Sequence, residues 1–323
     1  MLKKSYCLCE IRLEIEPLDP ILLKSGYEAV DGTKMAFITT NRKGKPEVFL
    51  PGSSLKGVFR SYFEKICRTL RSGTAIVCLP YKEYPQGGTE ISCGAMFQHR
   101  RDQEKAEALP KDILNDKSEN VYRYSCPACR MFGSTYFIGR CSVGDAYLQK
   151  YVEPEVRPGV AIDRQCGKVA QGPFDYQALT SGTFDTTVTI RNFELWMLGA
   201  WGYLLQDLQD GLIRIGAHKS RGMGTVKAKV KQMQLHYYQN PDEQVRGLGE
   251  LATDTEVKQY GLHKANALPQ LDLAPETRGV RRVYDVTASY AQLLPKVAPA
   301  FNDYLDQLDW WQPIQQYVGA QRR

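Results

Sequence analysis

The chain has 323 residues, of which 43% are hydrophobic and 24% are charged, and its formal net charge is +6. These proportions are those of a folded globular protein. No apolar run approaches the ~20 residues that span a bilayer, which argues against a membrane protein. The first six residues lead into a strand-like pattern without a signal-peptide core. We therefore expect a cytoplasmic protein.

The first predicted elements are a strand and an amphipathic helix. Residues 7–18 alternate between apolar and mostly polar side chains, which predicts a half-buried strand. A loop over residues 19–34 and a short strand over residues 48–51 follow. From Leu55 to Leu70 apolar residues recur at helical spacing, which predicts a helix over residues 53–71 with one face in the core.

Three stretches lack the period of a core element. Residues 72–124 are rich in Gly, Lys, Glu and Asp, and we interpret them as an insertion. Residues 156–176 are irregular and contain several glycines and prolines. Beyond residue 235 the pattern weakens, and only residues 298–311 have helical spacing. Residues 236–323 are therefore assigned to a C-terminal extension of unknown role.

The remaining segments predict the rest of an α+β core formed by residues 1–71 and 125–235. A second helix is predicted over residues 194–210, where leucines and Trp201 recur at helical spacing. The order strand, helix, strands, helix, strand indicates a ferredoxin-like (RRM-like) antiparallel sheet with helices on one face. The further strands are predicted at residues 141–147, 184–190, 212–215 and 225–230.

A predicted helix start at residues 51–54, Pro-Gly-Ser-Ser, has the character of an anion-binding turn. Ser53 and Ser54 lie where free backbone N–H groups and the positive end of the helix dipole attract an anion. Lys56 and Arg60 are four residues apart and share one helix face near that end. We assign these four residues to nucleic-acid binding, with an ordinary turn as the alternative.

A second candidate anion site is the glycine-rich loop over residues 216–224. Residues 214–231 contain six basic residues and no acidic one. A basic strip beside a glycine-rich turn is the expected footprint of phosphate contacts, and a solvated face is the alternative. Two such turns in one chain favour a phosphate-rich polymer as the partner. The loop residues assigned to nucleic-acid binding are His218, Lys219, Ser220 and Arg221.

The clearest indication of a metal site is a C-x-x-C knuckle at residues 126–129. No thioredoxin-like βαβ pattern surrounds it, which argues against a redox motif. Such a knuckle lets two thiolates reach one tetrahedral Zn²⁺, and cysteines in a cytoplasmic chain favour metal binding or buried thiols over disulfides. A structural Zn²⁺ would then close an insertion over residues 72–124. His99 is an alternative ligand, and Cys67 is a weaker one because it lies in the predicted helix. The predicted ligands are Cys78, Cys93, Cys126 and Cys129.

Five motifs in order carry a family resemblance that covers about residues 5–230. They are Pro51–Gly57, Met131–Ser134, Val143–Ala146, Ile162–Arg164 and Gly216–Val226. In these motifs the chain resembles the repeat-associated RNA-binding (RAMP) superfamily, and is most similar to the backbone subunit of CRISPR type III effector complexes. The cysteine-rich insertion is similar to that of type III-D. Ala217 departs from the family pattern, since relatives commonly have glycine there, and a small residue should still permit the turn.

The resemblance implies guide RNA (crRNA), target RNA and other effector subunits as partners. Residues 156–176 correspond to the family's thumb, a hairpin that wedges into the guide–target duplex. His218 could contact RNA or, as in relatives that process precursor guide RNA, act catalytically. Residues outside the two turns that the resemblance assigns to RNA binding are Lys24, Arg157, Arg164 and Lys168.

The resemblance also implies a catalytic residue, Asp31, because an aspartate in this loop of the resembled subunit supports cleavage of the paired target RNA. Such a carboxylate could hold Mg²⁺ or Mn²⁺, or help to remove a proton from a ribose 2′-OH. Asp-Gly is also a common turn signal, and Glu28 is a weaker alternative. Whether the subunit is a metal-dependent endoribonuclease or a non-catalytic scaffold stays open at the level of sequence.

Overall fold

The computed structural model describes residues 3–25, 35–42, 44–71, 76–80, 92–99, 118–239 and 242–308. These residues form a mixed α+β structure with one large antiparallel sheet and a separate two-stranded hairpin. The strands are, in chain order, β1 (Cys7–Pro17), β2 (Thr39–Arg42), β3 (Lys45–Leu50), β4 (Cys141–Val143), β5 (Ala146–Leu148), β6 (Glu155–Ile162), β7 (Val169–Ala178), β8 (Phe184–Arg191), β9 (Val226–Tyr237), β10 (Glu276–Arg278) and β11 (Arg281–Asp285). The helices are α1 (Gly52–Leu70), α2 (Cys93–His99), α3 (Ser118–Arg123), α4 (Pro127–Phe132), α5 (Leu195–Gln209), α6 (Leu248–Leu251), α7 (Asp254–Tyr260) and α8 (Tyr290–Gln307).

The large sheet is organised around β1, which pairs antiparallel with β8 on one side and with β9 on the other. The strand order is β10-β11-β9-β1-β8-β5-β3-β2, and β4 also pairs with β8. Apolar side chains of β1 alternate into the core, and Cys9, Ile11 and Ile15 are fully buried. The predicted half-buried strand is therefore confirmed. The segment that follows β1 is hydrogen-bonded to the glycine-rich loop described below.

Helices α1 and α5 pack together against the sheet. Phe59 of α1 meets Trp201 of α5 edge-to-face, with ring centroids 5.4 Å apart. Phe63 packs against Trp196 of α5 and Phe301 of α8 at 6.5 and 5.7 Å. The predicted amphipathic helix is confirmed. Because α5 lies between the sheet and α8, it is buried on nearly all sides, as expected for a helix that is apolar all round.

Several predictions about the secondary structure were wrong. Residues 212–215 do not form a strand, and only an isolated bridge joins Arg214 to Thr225. Gly216 and Gly224 have φ values of +88°, which break the extended backbone that a ladder requires. Residues 156–176 have an irregular local pattern, but they contain most of the β6–β7 hairpin, as the family resemblance implied. The segment 72–124 contains α2 and α3.

The chain after residue 235 is more regular than its sequence suggests. Strand β9 continues to Tyr237, and β11 pairs with it, so that β10 and β11 extend the main sheet. Helix α8 begins at Tyr290 rather than at residue 298. It contains Pro295 and Pro299, which normally argue against a helix interior, but its buried face against α5 outweighs that cost. Among the described helices, none is both long and apolar enough to cross a membrane.

Candidate functional site

Four cysteines converge beneath α1, and they are the four that the knuckle pattern selected. Cys78, Cys93, Cys126 and Cys129 are all buried, and their sulfur atoms lie within 4.8 Å of one another. Cys126 caps the N-terminus of α4, and its Sγ accepts the Cys129 N–H at 3.4 Å. Cys67 is buried in α1 but is not one of this group, and the side chain of His99 lies outside the described residues.

The donor set determines which metal ions fit this cysteine centre. Four sulfur ligands favour a tetrahedral thiophilic ion such as Zn²⁺, and a site closed by four protein ligands leaves no position for substrate. Burial opposes ionisation of Cys126, but hydrogen bonds from the Cys129, Cys78 and Cys93 thiols hold its pKa well below the usual value. The cysteine centre can therefore hold a metal ion in a structural role.

Arg60, predicted to bind RNA, lies against the cysteine centre instead. Its Nη2 donates to Cys129 Sγ at 3.4 Å, its Nη1 to the Gly133 carbonyl at 2.6 Å, and its Nε to Glu64 Oε1 at 2.9 Å. Burial disfavours the charged guanidinium, but the Cys129 thiol and Glu64 raise its pKa overall. Since every guanidinium nitrogen already has an acceptor, we exclude Arg60 from the candidate RNA surface.

The start of α1 is packed against the Val143–Ala146 motif. The Gly52 N–H donates to Asp145 Oδ1 at 2.7 Å, and a Cβ at Gly52 would lie 2.3 Å from the Val143 carbonyl oxygen. Only glycine fits this approach. The Asp145 carboxylate therefore already accepts one of the N–H groups that could bind an anion at the helix start. The sequence analysis missed this contact. The three predicted polar residues at this start, Ser53, Ser54 and Lys56, are exposed or half-buried.

The glycine-rich loop is anchored to the segment that follows β1. The Ala217 N–H donates to the Leu22 carbonyl at 2.8 Å, and the Gly224 N–H to that of Pro20 at 2.9 Å. Gly216 has a positive φ, and a Cβ there would lie 2.5 Å from the Leu22 oxygen. The turn thus forms with Ala217 in place of a second glycine, as expected. A short 3₁₀ turn over Lys219–Arg221 follows.

The glycine-rich loop and the base of the β6–β7 hairpin enclose a small cleft, which we call the hairpin–loop cleft. Its volume is about 180 Å³. The imidazole of His218 meets the Tyr176 ring edge-to-face at 5.7 Å. Three of the predicted RNA-binding residues, Arg157, His218 and Arg221, line the cleft together. The other lining residues are Pro20, Gly159, Val160, Phe174, Tyr176, Gly222 and Met223.

Positive charge is concentrated at the hairpin–loop cleft. Partial burial, followed by the charges of Arg221 and Lys24, lowers the pKa of His218. Partial burial and the charge of Lys65 lower the pKa of Lys219 in the same loop. A cation whose pKa is lowered by its cationic neighbours lies in a positive potential, and this potential attracts anions. The cleft therefore combines aromatic surface with basic groups, which is the combination that binds the bases and phosphates of nucleic acids.

The remaining predicted RNA-binding residues surround this cleft or lie further along the hairpin. Arg164 and Lys168 are exposed near the hairpin tip, where the carboxylate of Asp163 accepts the backbone N–H groups of Gln165 and Cys166. Asp163 therefore shapes the tip. Lys24 pairs with Phe37 through an isolated bridge, and Ser220 is exposed.

The catalytic prediction, Asp31, lies outside the described residues, as does Glu28. The described residues on either side of this loop are Ser25 and Met35. Met35 forms a bridge with Tyr176, and its carbonyl accepts the Gln177 N–H at 3.0 Å. The chain on the C-terminal side of the loop is thus attached to β7 beside the cleft.

Tyr176 is the cleft residue that the sequence analysis missed. It follows Phe174 by two residues in β7, and both residues line the cleft. The signal was present as an i, i+2 aromatic pair, because alternate residues of a strand share a face. It was overlooked because residues 156–176 were taken to be irregular.

Comparison with protein families relates these features to known proteins. Residues 14–227 match the family model described as the RAMP superfamily. The match begins within β1 and ends within β9, and it spans both core helices, the cysteine centre and the hairpin–loop cleft. It covers about two thirds of the chain. A search of curated proteins found no match.

Proposed function

This chain belongs to the RAMP superfamily, and we propose that it is the guide-RNA-binding backbone subunit of a CRISPR type III effector complex, most like type III-D. Family membership supports the broader assignment, a CRISPR-associated RNA-binding subunit. Its partners would be crRNA, target RNA and neighbouring effector subunits. The strand order β9-β1-β8-β5, with α1 and α5 packed together, supports a ferredoxin-like core.

The hairpin–loop cleft is the observation that carries the proposal. Arg157 from β6 and Arg221 from the glycine-rich loop would contact phosphates, and the Tyr176 ring, which also lines the cleft, would stack on a base. These groups recognise features common to all nucleotides, so binding would be independent of guide sequence. A guide-binding subunit needs this property because guides differ in sequence.

The β6–β7 hairpin supports a further part of the proposal, the thumb that wedges into the guide–target duplex. The hairpin exposes several apolar side chains to solvent, which is unusual for a solvated ribbon. Apolar side chains are suited to insertion between base steps. The exposed apolar residues on its strands are Val156, Val160, Ile162 and Val169.

Replacing Arg157 and Arg221 together with Ala tests guide binding. We expect weaker crRNA binding for every guide sequence. The slope of the logarithm of the binding constant against the logarithm of salt concentration should become shallower by about 0.7 for each lost phosphate contact. The control replaces Arg191 and Arg278, two exposed arginines of the main sheet. Arg278 pairs with the glutamate two residues before it, as Arg157 does. Unchanged affinity, or a loss confined to some guide sequences, would contradict the proposal.

We also propose that the metal of the cysteine centre is Zn²⁺. The centre joins Cys78 and α2 to the start of α4. Zinc bound to four thiolates would cross-link these segments and stabilise the fold, because metal binding and folding are coupled in such sites. The four cysteines would hold the zinc ion, and the ion would have no role in the reaction.

Target cleavage by this subunit is the finer part of the proposal, and it rests on Asp31. Met35, four residues after Asp31 in the chain, forms a bridge with Tyr176 at the cleft. The carboxylate would hold Mg²⁺ or Mn²⁺, or accept the proton of a ribose 2′-OH placed in line with the phosphate. A non-catalytic scaffold subunit is the alternative.

The variant Asp31→Ala distinguishes the enzyme from the scaffold. Complex assembly and target binding should persist, whereas the cut opposite this subunit should disappear and cuts made by neighbouring subunits should remain. In the parent complex the same cut should stop when a chelator removes Mg²⁺ or Mn²⁺. A full set of target fragments from the Asp31→Ala complex would show that this subunit is a scaffold.

A further inference from the structure

In the part of the chain that the structure describes, both backbone and side-chain N–H groups donate hydrogen bonds to the thiols of the cysteine centre. The Cys126 N–H donates to Cys93 Sγ at 3.3 Å, and the Cys129 N–H to Cys126 Sγ at 3.4 Å. Both come from the backbone, so no side-chain substitution removes them. The third comes from the Arg60 side chain, which donates to Cys129 Sγ at 3.4 Å. It is charged, and it reaches the centre from α1 rather than from the knuckle.

The guanidinium of Arg60 is held in one orientation by two further contacts. Its Nη1 donates to the carbonyl of Gly133, the residue that ends α4, and its Nε donates to Glu64 one turn later in α1. The side chains of Arg60 and Glu64 are 19% and 11% exposed. A single planar fork thus joins α1, the end of α4 and one sulfur of the centre, a geometry that a lysine cannot reproduce.

A cysteine centre with its metal bound would carry a net negative charge, and the guanidinium of Arg60 is a counter-charge beside it. Four thiolates around a divalent cation carry a net charge of about −2, and a buried net charge is costly unless a counter-charge is near. A cationic N–H donor on a coordinating sulfur stabilises the metal-bound thiolate and so opposes release of the ligand from the metal. The backbone donors provide no such charge.

We propose that Arg60 is a positioning residue of the metal centre, which retains the metal by holding the Cys129 thiolate. This inference rests on the proposed metal centre but not on RNA binding. It also accounts for a basic residue on α1 that points away from the candidate RNA surface. Outer-shell partners of this kind typically change metal affinity by about 10- to 100-fold.

The experiment compares zinc release from the full chain carrying Arg60→Gln with release from the parent protein, using a chromophoric chelator. We expect the variant to release zinc at least about tenfold faster. Arg68→Gln is the matched control, because Arg68 approaches the same Glu64 carboxylate at 3.8 Å from the next turn and is 42% exposed. Its release should match that of the parent protein.

Two additional measurements separate positioning from loss of fold. Arg60→Lys keeps the positive charge, and its release rate should lie between those of the parent and Arg60→Gln. With Co²⁺ in place of zinc, the sulfur-to-metal charge-transfer band should shift in Arg60→Gln and remain unchanged in Arg68→Gln. Parent-like release and an unshifted band in both Arg60 variants would overturn the inference. A parent protein without bound metal would overturn the metal centre as well.

Discussion

The cysteine centre and the hairpin–loop cleft both contain arginines that the sequence motifs suggested as RNA ligands. At the cysteine centre, the guanidinium of Arg60 is enclosed, and each of its nitrogens donates to a protein acceptor. At the cleft, Arg221 is exposed, and its charge helps to lower the pKa of His218. The first region satisfies its cation with enclosed protein acceptors. The second leaves Arg221 exposed and pairs Arg157 with the exposed carboxylate of Glu155.

This difference shows what makes a basic residue available to RNA. The motif at the start of α1 contains two cations, Lys56 and Arg60, but a carboxylate, a carbonyl and a thiol lie within reach of Arg60. A paired and partly buried cation gains little from a phosphate, because binding would first break its present contacts. Basic residues of a family motif are therefore candidate ligands only where the fold leaves them accessible.

The largest effect is expected from Cys126→Ser, which removes one ligand of the enclosed region. We expect loss of the metal and destabilisation by more than about 4 kcal/mol, because structural metal sites contribute directly to folding. Elemental analysis and denaturant unfolding measure the two results. The control is Cys166→Ser at the exposed hairpin tip. A metal-free Cys126→Ser protein with parental stability would refute the centre's structural role.

A smaller but substantial loss is expected from Arg130→Met beside the knuckle. The Arg130 side chain is buried and donates to the carbonyls of Arg123 and Gly261 at 2.7 and 3.0 Å, close to the buried carboxylate of Glu194. Removing one member of a buried ion pair costs about 3–5 kcal/mol. Urea unfolding measures this loss, with exposed Arg278→Met as the control. A change below about 1 kcal/mol would show that the contacts are energetically unimportant.

The smallest effect is expected at the open region, where His218 should make guide binding depend on pH. Partial burial, Arg221 and Lys24 lower its pKa below the usual 6.5 in the free protein, and a bound phosphate would raise the pKa. Affinity should therefore rise as the pH falls through the pKa of the complex, and level off below that of the free protein. A difference of one pKa unit gives a tenfold change.

The control for the pH effect is His218→Asn, because Asn tolerates the positive φ of 54° at this position. Binding isotherms over a pH series should then be flat for the variant. A parental pH profile that persists in His218→Asn would assign the effect to another group and remove His218 from the cleft's function.

The periodic and local features of this protein could be predicted from its sequence. In β1 apolar residues alternate and in α1 they recur at helical spacing, because one face of each element is buried. Both patterns can be recognised from neighbouring residues alone. The start of α8 could not be predicted locally because the helix contains two prolines, and prolines usually end a helix. The strands of the β6–β7 hairpin had no clear local pattern because they contain glycine and proline, which are uncommon inside strands.

By itself, the sequence determined the core elements, the Cys-x-x-Cys knuckle and the family motifs, because each is recorded within a few neighbouring residues. Only the tertiary structure decided which basic residues are enclosed and which are open. It directs Arg60 to Cys129, 69 residues away, and brings Arg157 to the same cleft as Arg221. Such contacts depend on how distant segments pack, and no local pattern specifies the acceptor that a long, flexible side chain will meet.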